Sequence, residues 1–369
     1  LIQFVQLIQI DGGFIKMIFR KKLVGAALAA VLTLGTAVPA FAHDGWSQTS
    51  APIVAQGQVS YVELLYGNHS NEHKSYRIEG QWGSASKVYV TTPAGVKSDI
   101  TGTRFYVGEP ATETTPALNN YFVASFKSNV PGAYIISTEA DSVFKGADAA
   151  SRTLRSAKSF VAVGDIPVLD RVKALTGFSK QVSPDRAELV PQFNPAAVTP
   201  GENVSIQLLL KGKPLADTAI DVIRRSNSEA TELKSDANGM VSFTTDAADY
   251  YLVRAKPSTA EAVEGEYSTT NYEATMTFTV QNKSAKLPGS ASGAKPHIYV
   301  NGNVTAVSSL TIAQGTTKVD ASFIKQNVDA AYKGTGLVTL RTAAEAAGAV
   351  VEYFPAVGAN PAAVAIYTK

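Results

Sequence analysis

Apolar and polar residues alternate in short runs along most of this chain. Gln58 to Tyr66 (QVSYVELLY) has a period near two and mixes β-branched with aromatic side chains, the pattern of a strand with one buried face. Lys87–Thr91, Tyr121–Phe126 and Ala133–Ser137 repeat the style, and Pro-Gly, Pro-Ala-Gly and Asn-rich turns separate them. Lys158 to Val163 reads as a closing strand, so residues 43–165 are expected to form an antiparallel β-sandwich.

The texture changes at Asp165. Residues 166–192 read as an interdomain connection, with one short helix before Gly177 and punctuation at Pro184 and Pro191. Residues 193–281 return to strands, among them Val204–Leu210, Tyr250–Ala255 and Glu273–Val280. Asn238-Gly239 between two extended runs predicts a hairpin. About seven short strands in this span predict a second, immunoglobulin-like sandwich. Residues 282–295 (NKSAKLPGSASGAK) have the composition of a flexible linker. A small α+β module is expected over 296–369, with a turn at Asn301-Gly302 and a helix over Leu340–Ala347 stopped by Gly348. The predicted fold class is mainly β: two antiparallel sandwiches followed by a small α+β module.

The N-terminal region has a different pattern. Arg20, Lys21 and Lys22 precede an apolar run from Leu23 to Val38 that ends in Ala40-Phe41-Ala42, the three parts of a secretory signal peptide. Residues 1–42 are therefore set apart as a start extension and signal peptide, with Met17 opening the signal itself. The alternative is an uncleaved anchor, because the run approaches membrane-spanning length. Cleavage after Ala42 makes His43 the N-terminus of the 327 residues that remain and predicts a secreted, extracytoplasmic protein with no further transmembrane segment. Removing Asp11, Lys16, Arg20, Lys21 and Lys22 leaves 29 basic against 30 acidic residues, a net of −1. A near-neutral chain without a basic stripe offers no electrostatic footprint for nucleic acid. Cysteine is absent, which excludes disulfides and a lipidated cysteine.

Candidate chemistry lies in the histidines. Of four in the chain, three fall between His43 and His73. A terminal His43 supplies an α-amine beside its own imidazole, and His69 and His73 follow directly after the strand ending at Tyr66. Imidazole nitrogen suits Ni²⁺, Cu²⁺ and Zn²⁺, so His43, His69 and His73 are the candidate metal ligands, with Asp44, Glu63 or Glu72 as oxygen alternatives. Capture is expected to fall below roughly pH 6, because a protonated imidazole cannot coordinate. The bland reading of the same residues is an exposed polar loop, since Gly-Asn-His-Ser-Asn has ordinary turn composition. His297 stands apart in the small module and is assigned no role. Asp236-Ala237-Asn238-Gly239 lacks the later ligands of a calcium loop. Trp46, Trp82 and the tyrosines could stack on sugars, but in sandwiches such residues mostly pack cores. No cysteine, no G-x-S-x-G serine and no acid pair offers catalysis, so a non-enzymatic protein is expected.

Two stretches resemble known families. His43-Asp44-Gly45-Trp46, Leu64-Leu65-Tyr66-Gly67-Asn68-His69, Gly212–Ala216 with Asp236–Gly239, and Thr275–Val280 resemble the NikM-like family of exported bacterial proteins, grouped with the periplasmic components of nickel and cobalt uptake. Val300-Asn301-Gly302 with Gly336–Tyr353 resembles the small domain at the N-terminus of copper amine oxidases, which is reused on Gram-positive surface proteins. Thr339 stands where that family usually has proline. The first resemblance implies nickel or cobalt binding in uptake or handling, with a membrane transporter as partner. The second implies a non-catalytic module on the cell surface, where a cell-wall component would be the partner. The alternative function is a structural or interaction protein with sandwich spacers.

Overall fold

Alternation becomes strands along much of the described chain, which comprises residues 43–70, 78, 86–114, 118–145, 150–283, 286–313 and 315–369 of a computed structural model. The first body contains β1 (Asp44–Thr49), β2 (Ile53–Ala55), β3 (Val59–Gly67), β4 (Lys87–Thr91), β5 (Lys97–Asp99), β6 (Phe105–Glu109), β7 (Leu118–Lys127), β8 (Gly132–Lys145) and β9 (Ala150–Gly164). One sheet runs β1-β3-β7-β6. Its inner face contributes Val62, Leu64 and Ala124 to a core completed by Val88, Val90, Tyr134, Ile136, Val161 and Val163 from β4, β8 and β9.

The opposite face of β8 and β9 is also buried. Ala133, Ile135, Phe160 and Ala162 enter a second, larger core that runs on into the next body. Burial on both faces explains why Ala133–Ile136 and Phe160–Val163 are unbroken apolar runs where a half-exposed strand would alternate.

That second body follows α1 (Leu169–Val172) and contains β10 (Ala187–Pro191), β11 (Asn203–Leu210), β12 (Lys213–Pro214), β13 (Ala219–Arg224), β14 (Ala230–Lys234), β15 (Met240–Thr244), β16 (Asp249–Ala255), β17 (Ser258–Thr259) and β18 (Thr269–Val280). The two sandwiches are not separate antiparallel units: one ten-stranded sheet, β14-β13-β16-β18-β9-β8-β4-β5 with β17 and β2 at its sides, serves both. The seam is a parallel pairing of β9 with β18, from Ser151↔Thr269 to Lys158↔Met276. Strand β9 can do this because it is fifteen residues long and divides its second edge between β18 and β2.

Asn238-Gly239 is a corner and not a hairpin. Strand β14 pairs with β13 and β15 with β11, so the chain changes sheets there. Asp236 Oδ1 accepts from the amides of Asn238 and Met240, both at 2.8 Å, and that fixes the turn. Gly239 has φ 72° and lies against the Leu208 carbonyl, where a β-carbon would collide.

The C-terminal module contains β19 (His297–Val300), β20 (Asn303–Thr305), β21 (Leu310–Ala313), β22 (Thr316–Asp320), α2 (Ala321–Asn327), β23 (Leu337–Thr339), α3 (Leu340–Ala346), β24 (Val350–Phe354) and β25 (Ala363–Tyr367). Gly348 takes φ 78° after α3, the helix stop read from the sequence. Both helices cover one face of the sheet β20-β19-β25-β24. The other face, through Tyr299, Phe354, Ala363, Ala365 and Tyr367, joins the large core with Ala133, Phe160 and Phe178.

The linker is therefore no free tether. Gly358 lies against Pro288 and Leu287, and Gly289 against Ala359, because the bodies it joins dock directly. Residues 43–369 form one compact unit, which starts at the junction read as a cleavage site. No helix among the described residues is long and apolar enough to cross a membrane.

Candidate metal centre

The candidate ligands lie where β1 begins and β3 ends. Antiparallel pairing runs from Asp44↔Gly67 to Thr49↔Val62, so His43 stands one step before Asp44 while the chain after Gly67 leaves the same end of the ribbon. Strand β1 is pinned from its other side as well. The hydroxyls of Thr275 and Thr277 on β18 donate to the Gly45 and Ser47 carbonyls at 2.9 and 2.6 Å. An edge strand satisfied in this way holds its first residue in a fixed place.

The histidine side chains diverge. The His43 ring packs edge-on against Tyr66, 5.6 Å between centroids, on the face of the ribbon where Tyr66 meets Ala140 and Ala157. Burial pushes the Tyr66 phenol above its ordinary range, and Glu273 adds to this. His69 packs edge-on against Trp46, also at 5.6 Å, on the opposite face, where Trp46 and Leu65 meet Ile223 and Leu252. Only 3% of His69 is exposed, and its Nε2 lies 3.2 Å from the Tyr250 carbonyl. A carbonyl only accepts, so Nε2 carries the proton and, in the neutral ring, Nδ1 carries the lone pair. His73, Glu72 and Trp82 lie outside the described residues. The ribbon thus brings the backbones of His43 and His69 to one end while sending their rings to different faces.

The oxygen candidates are committed elsewhere. Asp44 is buried between Arg254 and Lys256, with contacts of 2.5 and 2.7 Å. Burial works against the Arg254 charge, and the carboxylates of Asp44 and Asp221 more than offset it. Glu63 points from the outer face of β3 and accepts from Gln48 Nε2 at 2.7 Å. Among the described residues, no group of three or more His, Cys, Asp or Glu converges as a metal-holding cluster. His297 is exposed at the start of β19. Trp46, also a sugar-stacking candidate, is 1% exposed and belongs to the core.

Sequence reasoning missed the residues that position this end of the molecule: Tyr250, Arg254, Thr275 and Thr277. Each acts across a separation of at least 181 residues, and no local pattern announces such a contact.

At the far edge of the same sheet, Gly108 interrupts the β6–β7 pairing between Val107 and Glu109. Its φ is 142°, and a β-carbon there would collide with Asn120 Cα. Gly108→Ala is expected to destabilise by at least about 1–3 kcal/mol, with amide exchange quickening first along β6 and β7.

Comparison with known proteins gives a family. Residues 40–259 match the profile of a domain of unknown function (DUF4198). No curated protein matches. Solved structures similar to this chain include the full three-immunoglobulin-domain ectodomain of mouse nectin-like molecule 4, at 12% identity, covering 66% of each chain with a TM-score of 0.18. A DUF4785 family protein from Legionella pneumophila is 11% identical over 57% of this chain and 52% of its own, with a TM-score of 0.19. Elastase-activated α-2-macroglobulin from Escherichia coli is 14% identical over 64% of this chain and 20% of its own, also with a TM-score of 0.19.

Proposed function

We propose a function for this chain, which belongs to the family of the domain of unknown function DUF4198: it captures a divalent transition metal outside the cytoplasm, nickel or cobalt first, for uptake or handling. The resemblance of its first two bodies to the nickel and cobalt uptake family supports the choice of metal. The observation that carries the reading is the pinned start of β1. His43 is the first residue of the compact unit, and it precedes a strand held by β3 on one side and by two threonine hydroxyls on the other.

Exported and processed after Ala42, His43 closes a chelate through its α-amine and its imidazole. The chain leaves the sheet beside it after Gly67, and His73, four residues on from His69, is the proposed next nitrogen donor. His69 anchors the exit from the sheet: its Nε2–H donates to the Tyr250 carbonyl, and its ring rests on Trp46.

Calorimetric titration with Ni²⁺ and Co²⁺ tests the roles, using protein purified after secretion. His43→Ala is expected to weaken binding at least about 100-fold, the upper end of losses seen when only an outer partner is removed. His69→Ala is expected to weaken it about tenfold and to lower the melting temperature, because it removes a buried contact. Equal affinity in wild type and His43→Ala overturns the assignment.

A further inference from the structure

A second site lies on the outer face of the first sheet, where it meets the tip of the second sandwich. A cleft of about 330 Å³ there has Gln48, Glu63, Leu65, Tyr121, Arg225 and Tyr250 among its lining residues. Ligand pockets run from roughly 300 to 1,000 Å³ and favour domain junctions, so this one suits a small ligand.

Its two charges do not meet. Glu63 and Arg225 both line the cleft, yet neither takes part in an ion pair among the described residues. Neighbouring charges are already matched: Arg224 to Asp246, and Arg254 to Asp44 and Asp221. Each of the two is nonetheless held from behind. Trp46 Nε1 donates to Gln48 Oε1 at 3.2 Å, and Gln48 Nε2 donates to Glu63 Oε2 at 2.7 Å, which leaves Oε1 for a ligand. Arg225 Nε donates to the Ser70 carbonyl at 3.2 Å, and its guanidinium lies 5.6 Å from the Tyr250 ring centre, leaving the two terminal nitrogens. Gln48 is itself 5% exposed, so the carboxylate stands on a rigid base. Burial, with the Glu63 charge beside it, pushes the Tyr121 phenol up, so it stays a hydroxyl donor.

We propose that this cleft binds a small zwitterion of the α-amino-acid type, a free amino acid or a dipeptide, with its ammonium on Glu63 and its carboxylate on Arg225. The two terminal guanidinium nitrogens match a carboxylate as a fork. Tyr121, Tyr250 and Leu65 supply an apolar wall for the ligand body. A ligand with one charge leaves the other cleft charge uncompensated, and that makes the site selective. Among the described residues no histidine lines it, although Trp46 and Tyr250 also hold His69.

The test is a thermal-shift screen of the purified chain against the standard amino acids and a set of dipeptides at millimolar concentration. Any hit is then titrated by calorimetry beside its methyl ester, which lacks the carboxylate, and its deaminated analogue, which lacks the ammonium. The expected result is at least one zwitterion that binds while both analogues fail. Glu63→Gln and Arg225→Gln should each weaken it about 10- to 100-fold, as loss of a charged hydrogen bond does. Arg225→Lys keeps the charge, guards against a folding artefact, and should give an intermediate loss. A response to amino acids without dipeptides, or the reverse, identifies the ligand's source. No response to either set, binding of the analogues equal to the parent, or undiminished binding by Glu63→Gln overturns the proposal.

Discussion

Replacing Glu188 by alanine is expected to lower the melting temperature by on the order of 10 °C, the largest single effect outside the candidate sites. Glu188 on β10 is fully buried and forms an ion pair with Lys158 on β9, itself 1% exposed. The same carboxylate accepts the amides of Val182 at 2.8 Å and Ser183 at 3.0 Å. Burial pulls the Lys158 pKa below its usual value, and Glu188 opposes that pull. Alanine at 188 leaves a lysine without its counter-charge and two amides without an acceptor, a loss of about 3–5 kcal/mol. The double variant Lys158→Met with Glu188→Gln should recover part of it, because the buried charge is gone and the glutamine oxygen still accepts one of the two amides, while its NH2 faces the other. Thermal melts of the single and double variants check this. Equal losses in both would mean that the pair contributes by shape alone.

The second large effect concerns docking of the C-terminal module. Arg171, 1% exposed, donates to both oxygens of Asp165 at 2.9 and 2.7 Å. Its remaining nitrogen reaches the Pro355 and Pro361 carbonyls of the module, both at 2.6 Å. Glu352 of the module reaches back to the amides of Thr176 and Gly177. Arg171→Met strands Asp165 in the interface and removes the donor to both carbonyls, for a loss of about 3–5 kcal/mol. Limited proteolysis should then cut within residues 282–295, where the wild-type chain is held by Leu287 and Gly289 against the loop at 358–359.

The same hub has an acid response. Burial raises the Asp165 pKa, but the Arg171 guanidinium and the Tyr299 hydroxyl outweigh it and hold the group below its ordinary range. A depressed carboxylate contributes stability above the unfolded value of about 3.9 and loses it as pH falls through the folded value. Docking should loosen in that acid range, and Asp165→Asn should lose that part of the pH dependence.

These effects also mark how far the sequence could be read. Period-two runs announced the strands, and Gly348 announced the stop of α3, because both signals are local. The unbroken runs Ala133–Ile136 and Phe160–Val163 already carried the two-sided burial of the shared sheet. The partner on the second face was invisible: β9 pairs with a strand more than a hundred residues away, and in parallel. Asn238-Gly239 promised a turn and delivered one, but a turn does not say whether its strands stay in one sheet. The linker composition described what residues 282–295 lack, a core of their own, and not the direct docking that fixes their span. At the candidate centre, the clustering of His43 and His69 was legible, since pairing of β1 with β3 brings their backbones together. The divergence of their rings was not. It follows from strand register and from Trp46, Tyr66 and Tyr250, which only the folded chain assembles.

The central claim is capture of metal by the amine and imidazole of His43. The most direct measurement is a calorimetric Ni²⁺ titration of two proteins side by side. One is purified after secretion with His43 at its N-terminus, and the other is identical but for one additional residue ahead of His43. The account predicts near-equimolar binding to the first and binding weaker by at least about 100-fold in the second, because the extra peptide bond removes the amine donor. Equal binding by both would contradict it.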